Sequence, residues 1–139
     1  NLSLSVYNSI VALQAGAQII DASIKGFGAG AGNTPLEVLV GVLTKYNFDT
    51  GIDLYKVLDL ADLAEEKLIE KPITISPLSI VGGLSSVFCE FANQIKTVSR
   101  EYNVDPRDVF FELGKEKVIG GQEDKIVEVA IRLSKRLGK

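Results

Sequence analysis

Residues 18–37, QIIDASIKGFGAGAGNTPLE, constrain this chain most, because they hold the single strand-like signal in its 139 residues. QIIDASI, 18–24, is short, rich in isoleucine and nearly continuous in apolar character, as in a strand buried on both faces of a parallel sheet. It runs directly into GFGAGAGN, where Gly26, Gly28, Gly30 and Gly32 alternate ahead of Asn33. Thr34-Pro35-Leu36-Glu37 then reads as a helix start, with a capping threonine, proline at the first helical position and a glutamate three residues after the cap. That helix is expected to run to about Tyr46. Upstream, residues 3–15 set Val6, Ile10 and Leu13 on one helical face, and Gly16 stands where a left-handed C-terminal cap is wanted. Residues 1–47 therefore read as helix, buried strand, glycine loop and helix: one α/β unit with an extra helix in front.

After Asn47 the periodicity becomes helical. Asp53 caps a helix whose Leu54, Leu58, Ala61, Ala64 and Leu68 repeat at helical spacing. A connector, KPITISPLS, separates it from a stripe formed by Phe88, Phe91, Ile95, Val98 and Tyr102. Asp105-Pro106 restarts the chain as cap and first helical residue, and Gly114 is expected to end that helix. In the last segment Ile126, Ala130, Leu133 and Leu137 form the buried face. Gln122, Glu123 and Asp124 stand near its start, with Lys135, Arg136 and Lys139 near its end, matching the helix dipole.

Composition removes several chemistries. The chain has no histidine and one cysteine, Cys89, so it cannot build a His-based zinc site, a Cys-His pair or a Ser-His-Asp triad by itself. Cys89 reads as a buried small hydrophobe. A net charge of -3 provides no basic stripe for nucleic acid or anionic lipid, and no apolar run approaches the roughly 18 residues of a membrane span. A soluble, cytoplasmic protein is expected. The chain also lacks methionine, even at its start, which reads as a piece of something longer.

A strand feeding glycines and then a helix N-terminus is a geometry that presents amides to an anion. The loop lacks the Gly-Lys-Ser/Thr ending of a nucleotide P-loop. It nearly meets dinucleotide spacing with Gly28 and Gly30, yet has no glycine at 33 and follows a helix-strand pair rather than opening a βαβ unit. The competing reading is a tight crossing in which glycines let backbones approach.

Residues 1–39, NLSLSVYNSIVALQAGAQIIDASIKGFGAGAGNTPLEVL, closely resemble the C-terminal part of the barrel in 4-hydroxy-2-oxovalerate aldolases. These belong to the metal-dependent lyase superfamily that includes 3-hydroxy-3-methylglutaryl-CoA lyase and isopropylmalate synthase. The KYN and EYN helix ends and VIGGQEDKIVEVA resemble the same aldolases rather than their acyl-CoA cousins, so the resemblance covers essentially the whole chain. It implies a fold that is mostly α with a small α/β part. Residues 1–49 would be the last helix, eighth strand, Gly-rich loop and helix of a (β/α)8 TIM barrel, and residues 50–139 a compact helical post-barrel domain.

The resemblance also implies a divalent metal, Mn2+ or Mg2+, that polarises a 2-oxo acid while a base removes the 4-hydroxyl proton, releasing pyruvate and an aldehyde, as in aromatic hydrocarbon catabolism. In the family the metal carboxylate and its neighbouring arginine follow the first strand, and a His-x-His pair stands just before the position of Asn1. None of these residues is in the chain, so it is expected to be inactive alone and to bind no metal tightly. Asn33 matches an asparagine that lies at the metal in the related lyases, as a ligand or a partner of one; capping the helix at Thr34 or Pro35 is its competing role. Phe88 falls where the better-known aldolases place a substrate-contacting tyrosine that influences stereoselectivity; a plain core position is the alternative. The helical tail of the family docks an acylating acetaldehyde dehydrogenase. A stand-alone helical binding module is the second hypothesis, with self-association or disorder expected in residues 1–47.

Overall fold

The computed structural model describes residues 1–71 and 74–138. Pro72 and Ile73 of the expected connector, and Lys139 of the basic helix end, lie outside the described residues. Among those described are seven helices: α1 (Ser5–Gln14), α2 (Leu36–Lys45), α3 (Leu54–Lys67), α4 (Pro77–Ser85), α5 (Phe91–Glu101), α6 (Pro106–Lys115) and α7 (Asp124–Arg136). A 3-10 turn lies at Ile24–Gly26. The chain divides into two compact units, residues 3–74 and residues 75–139 with Asn1 and Leu2.

In the first unit α1 ends as its glycine foretells. Gly16 takes φ +103° while its N–H donates to Leu13 and that of Ala17 to Ala12, a Schellman closure of the last carbonyls. Asp53 caps α3 by accepting from the amides of Tyr55 and Lys56. Helices α2 and α3 pack on each other, burying Leu39, Val40 and Leu43 on one and Val57, Ala61 and Ala64 on the other. The buried face of α3 is therefore rotated from the expected one. Leu58 and Leu68 are exposed, because the small Ala61 and Ala64 let α3 approach closely along the Val57 side.

The expected strand at 18–24 does not form. A strand exists through its ladder, and among the described residues this segment makes only the isolated parallel bridge between Ser23 and Pro35. Ile19, 86% exposed, packs on little. The fold described is all-helical where a small α/β part was expected.

The second unit holds the larger core, with Phe110, Ile95, Leu113, Ile126, Val109 and Val129 fully enclosed. Each large apolar side chain buried there contributes about 1.5–3 kcal/mol. Asp105 and Pro106 act as expected, the aspartate accepting from the Arg107 amide. Three expectations change. Helix α4 occupies part of the supposed connector, capped by Ser76 with Pro77 at its first turn. Gly114 lies inside α6, where a Cβ would meet the Ser85 carbonyl oxygen at 2.3 Å, so it serves close packing rather than helix termination. Leu137 is exposed and Val129 takes its place on the buried face of α7.

Candidate functional site

Ser23 ties the glycine loop shut. Its N–H donates to the Thr34 carbonyl (3.0 Å), its own carbonyl accepts from Gly26 (3.0 Å) and Leu36 (2.9 Å), and its hydroxyl donates to the Phe27 carbonyl (2.7 Å). Both ends of the excursion are thereby clamped, as in a compact Ω-loop. Inside it, the Asn33 N–H donates to the Gly26 carbonyl at 2.8 Å and its Nδ2 to the Phe27 carbonyl at 3.1 Å.

The glycines permit this closure. Gly26 combines φ +68° with a buried site in which a Cβ would sit 2.9 Å from the Asn33 carbonyl oxygen. At Gly28 a Cβ would meet the Asn33 amide at 2.6 Å. Gly30 and Gly32 supply two more left-handed residues at φ +63° and +87°. The loop is thus a tight crossing folded around Asn33.

The expected capping by Thr34 is not made. Pro35 is the N-cap of α2 and carries no side-chain cap; the Leu36 amide is satisfied by Ser23 instead. The Thr34 hydroxyl pairs with the hydroxyl of the buried Ser9 on α1 at 3.2 Å. Glu37, expected to reach back to its own cap, accepts the Lys25 amide at 3.0 Å. The Lys25 ammonium meets Glu65 of α3 at 2.6 Å, and this carboxylate, before all else, raises the pKa of Lys25 above the ordinary value.

A cavity of about 540 Å³ opens beside the loop, lined by Ser5, Asp21, Ala22, Gly32, Asn33 and Thr34. The structure thus gathers Asn33 and Gly32 with Asp21, a carboxylate inside QIIDASI to which the sequence analysis assigns no role. Its position three residues after the isoleucine-rich start, just ahead of the glycines, was the available signal. A carboxylate, an amide and two hydroxyls are hard oxygen donors suited to Mg2+ or Mn2+. Their number is small: no group of three or more His, Cys, Asp or Glu side chains that could hold a metal occurs among the described residues.

Phe88 belongs to the second unit, in the link between α4 and α5. It is 47% exposed and makes an edge-to-face contact with Phe91, ring centroids 5.9 Å apart. It therefore leaves the buried stripe that Phe91, Ile95 and Val98 continue. Cys89 beside it is half-buried rather than buried.

Two family models match the chain in succession, an HMGL-like one over residues 1–64 and a DmpG-like communication domain over residues 73–135. A lyase-type segment followed by a communication domain defines the class. Among curated relatives, the 4-hydroxy-2-oxovalerate aldolase of Pectobacterium atrosepticum is 57% identical across 98% of this chain, and that of Streptomyces tendae 56% across 96%. The enzyme of that name from Geobacillus stearothermophilus is 46% identical across 98%. Over nearly its whole length the chain is thus similar to proteins named 4-hydroxy-2-oxovalerate aldolase. It spans 40%, 37% and 40% of the length of these three relatives. No helix among the described residues is long and apolar enough to cross a membrane.

Proposed function

We propose that this chain supplies one wall of the active site and the docking lobe of a metal-dependent carbon–carbon lyase that cleaves 4-hydroxy-2-oxovalerate, or a related 4-hydroxy-2-oxoacid, to pyruvate and an aldehyde. The observation that carries the reading is the 57% identity to such an aldolase sustained through both segments. Residues 1–49 are assigned to the end of a (β/α)8 barrel, with QIIDASI completing its ladder only against neighbouring strands. Residues 50–139 are assigned to the docking lobe, with the compact unit from residue 75 as its folded body.

When bound, Mn2+ or Mg2+ supplies Lewis-acid polarisation of the 2-oxo group. Asn33 and Asp21 offer it, or the waters around it, one wall of oxygen acceptors in the cavity beside the loop. The Asn33 amide nitrogen donates to the Phe27 carbonyl, which leaves its side-chain oxygen free as an acceptor. Phe88 offers a ring but no hydroxyl at the family's tyrosine position, so hydroxyl stereoselectivity is relaxed or changed relative to enzymes with a phenol there. The partner is an acylating acetaldehyde dehydrogenase, received on the communication-domain lobe. That lobe speaks against a cousin acting on acyl-CoA.

Two assays test this. The 139-residue chain with Mn2+ or Mg2+ is expected to release no pyruvate from 4-hydroxy-2-oxovalerate, yet to co-elute with an acylating acetaldehyde dehydrogenase. Turnover by the chain alone overturns the incomplete metal site; failure to retain the dehydrogenase overturns the docking lobe.

A further inference from the structure

Six non-glycine residues take left-handed backbone conformations: Ser3, Lys25, Asn47, Ser86, Asn103 and Lys117. Four of them, Asn47, Ser86, Asn103 and Lys117, stand at or just past the ends of α2, α4, α5 and α6, where left-handed residues commonly close a helix. Lys25 has no such setting. It sits at φ +56° directly before Gly26 at φ +68°, two left-handed residues in succession at the entrance of the glycine loop. A lysine stays there only when its surroundings hold it.

Two carboxylates touch it. The pair between the Lys25 ammonium and Glu65 has side chains 33% and 59% exposed, so it fixes little. The bond from the Lys25 amide to Glu37 is of another kind: a half-buried carboxylate in the first turn of α2 accepts a backbone N–H at 3.0 Å. Charge-assisted bonds of this sort are the strong ones. Because Glu37 is anchored in α2, the bond ties the left-handed turn to the helix that follows the loop. That turn in turn aims the carbonyls of Gly26 and Phe27, which receive the two Asn33 donors.

We infer that Glu37 is a positioning residue: by holding the Lys25 amide it sets the Lys25–Gly26 turn, and through that turn the direction in which Asn33 faces the cavity it shares with Asp21. This rests on the reading of Asn33 given above. Glu37 itself lines no part of that cavity.

Amide hydrogen exchange on the full 139-residue chain tests the inference without any need for turnover. Losing a hydrogen bond to a charged group speeds local opening by roughly tenfold to a hundredfold. Glu37→Ala is therefore expected to accelerate exchange at Lys25 and Asn33 by about that factor, while Glu37→Gln, which keeps an acceptor oxygen, retains most of the protection. Glu65→Ala leaves both amides as they were. Adding Lys25→Gly to Glu37→Ala restores Asn33 protection, because glycine adopts the left-handed turn unaided. A merely structural loss would accelerate exchange throughout α2 and would gain nothing from that glycine. The inference fails if Lys25 exchanges freely in the unaltered chain, if Asn33 is indifferent to Glu37→Ala, or if Lys25→Gly brings no recovery. Absence of lyase activity bears on the proposed function alone.

Discussion

Two glycines inside helices should respond to the same methyl with opposite sign. Gly41, in α2, has nothing within 4 Å of the place its Cβ would occupy. Replacing it with alanine recovers helix propensity and should stabilise by about 0.5–1 kcal/mol. Gly114, in α6, has the carbonyl oxygen of Ser85 at 2.3 Å from its would-be Cβ and the Ser85 Cβ at 3.0 Å. Ordinary contact begins near 3.4 Å, so the end of α4 must retreat by about 1 Å, and the obstacle is backbone rather than a mobile side chain. Forcing a methyl into a closed interface costs typically about 1–3 kcal/mol, and a backbone clash belongs at the upper end. After subtracting the propensity gain of roughly 1 kcal/mol, Gly114→Ala should destabilise the second unit by about 2 kcal/mol. Helices α4 and α6 are packed together, and a Cβ at Gly82 on α4 would likewise lie 3.3 Å from the Phe110 ring, so the strain has no easy outlet.

The assay is urea unfolding followed by circular dichroism, with amide exchange in α6 to assign the transition. Small units change by about 1–3 kcal/mol per molar urea, so the midpoint of the second unit should fall by on the order of 1 M for Gly114→Ala. It should rise slightly for the first unit in Gly41→Ala. A Gly114→Ala chain that resists urea as well as, or better than, the parent would refute the close-packing argument and return that glycine to the terminator role its sequence position suggests.

Other expectations are as direct. The Arg107 guanidinium and amide lower the carboxyl of Asp105 from 3.8 to about 2. Because the folded value is the depressed one, its stabilising effect is complete above about pH 4 and fades as pH falls towards 2. Thermal unfolding across that range should flatten in Asp105→Asn; the step is modest, since the pair is 65% and 34% exposed. A pH dependence unchanged in the variant removes Asp105 as its source. Phe91→Ala should cost about 3–5 kcal/mol, while Phe88→Ala, losing an exposed edge-to-face partner, should cost no more than about 1.5 kcal/mol; comparable losses in denaturant midpoints would contradict the placement of Phe88 outside the core. The exposed Leu58 and Leu63 on α3 and Leu68 just past its end, with Tyr46 and Phe48 after α2, should drive self-association. Light scattering that finds only monomer at high concentration and low salt argues against it.

Helix starts were legible where one short side chain does the capping. Asp53 and Asp105 bond their own amides within three residues, and nothing distant has to cooperate. The same chemistry at Ser76-Pro77 announces α4, yet PLSIVGGLS is apolar on every side and carries two glycines, so periodicity hides it. Its helical state follows from Gly82 lying on Phe110 and from Ser85 lying on Gly114, which are tertiary facts. The glycine loop shows the same division. That four alternating glycines allow close backbone approach was readable as one of two competing readings; that the residue approached is Asn33, expected only at the metal or as a helix cap, was not. Glu37 was misdirected because the capping-box rule looks three residues back, whereas its carboxylate spans 12 positions to Lys25. Asp21 gained its place only when the cavity brought it beside Asn33.

The cavity wall beside the loop decides which sign of charge is favoured there. An anion cradle leaves backbone amides open to the ligand. Here the amides of Gly26, Phe27, Gly32, Asn33 and Leu36 are each donated to a carbonyl inside the loop or at its clamped ends. The partial positive charge at the start of α2 faces the carboxylate of Glu37 in its first turn, and the cavity wall carries Asp21. The one cation in the cluster, Lys25, is engaged by Glu65. What the cavity wall itself offers a ligand is the carboxylate of Asp21 and the side-chain oxygen of Asn33, which attract a cation and repel a phosphate. Titrating the chain with inorganic phosphate should therefore leave the amide resonances of residues 26–36 unmoved, while Mg2+ or Mn2+ should perturb Asp21 and Asn33, weakly and without saturation at low concentration. Saturable phosphate shifts centred on the glycines would mean that the amides of Gly28 to Ala31, which donate to no acceptor among the described residues, outweigh the acidic wall, and the loop would have to be read again as an anion site.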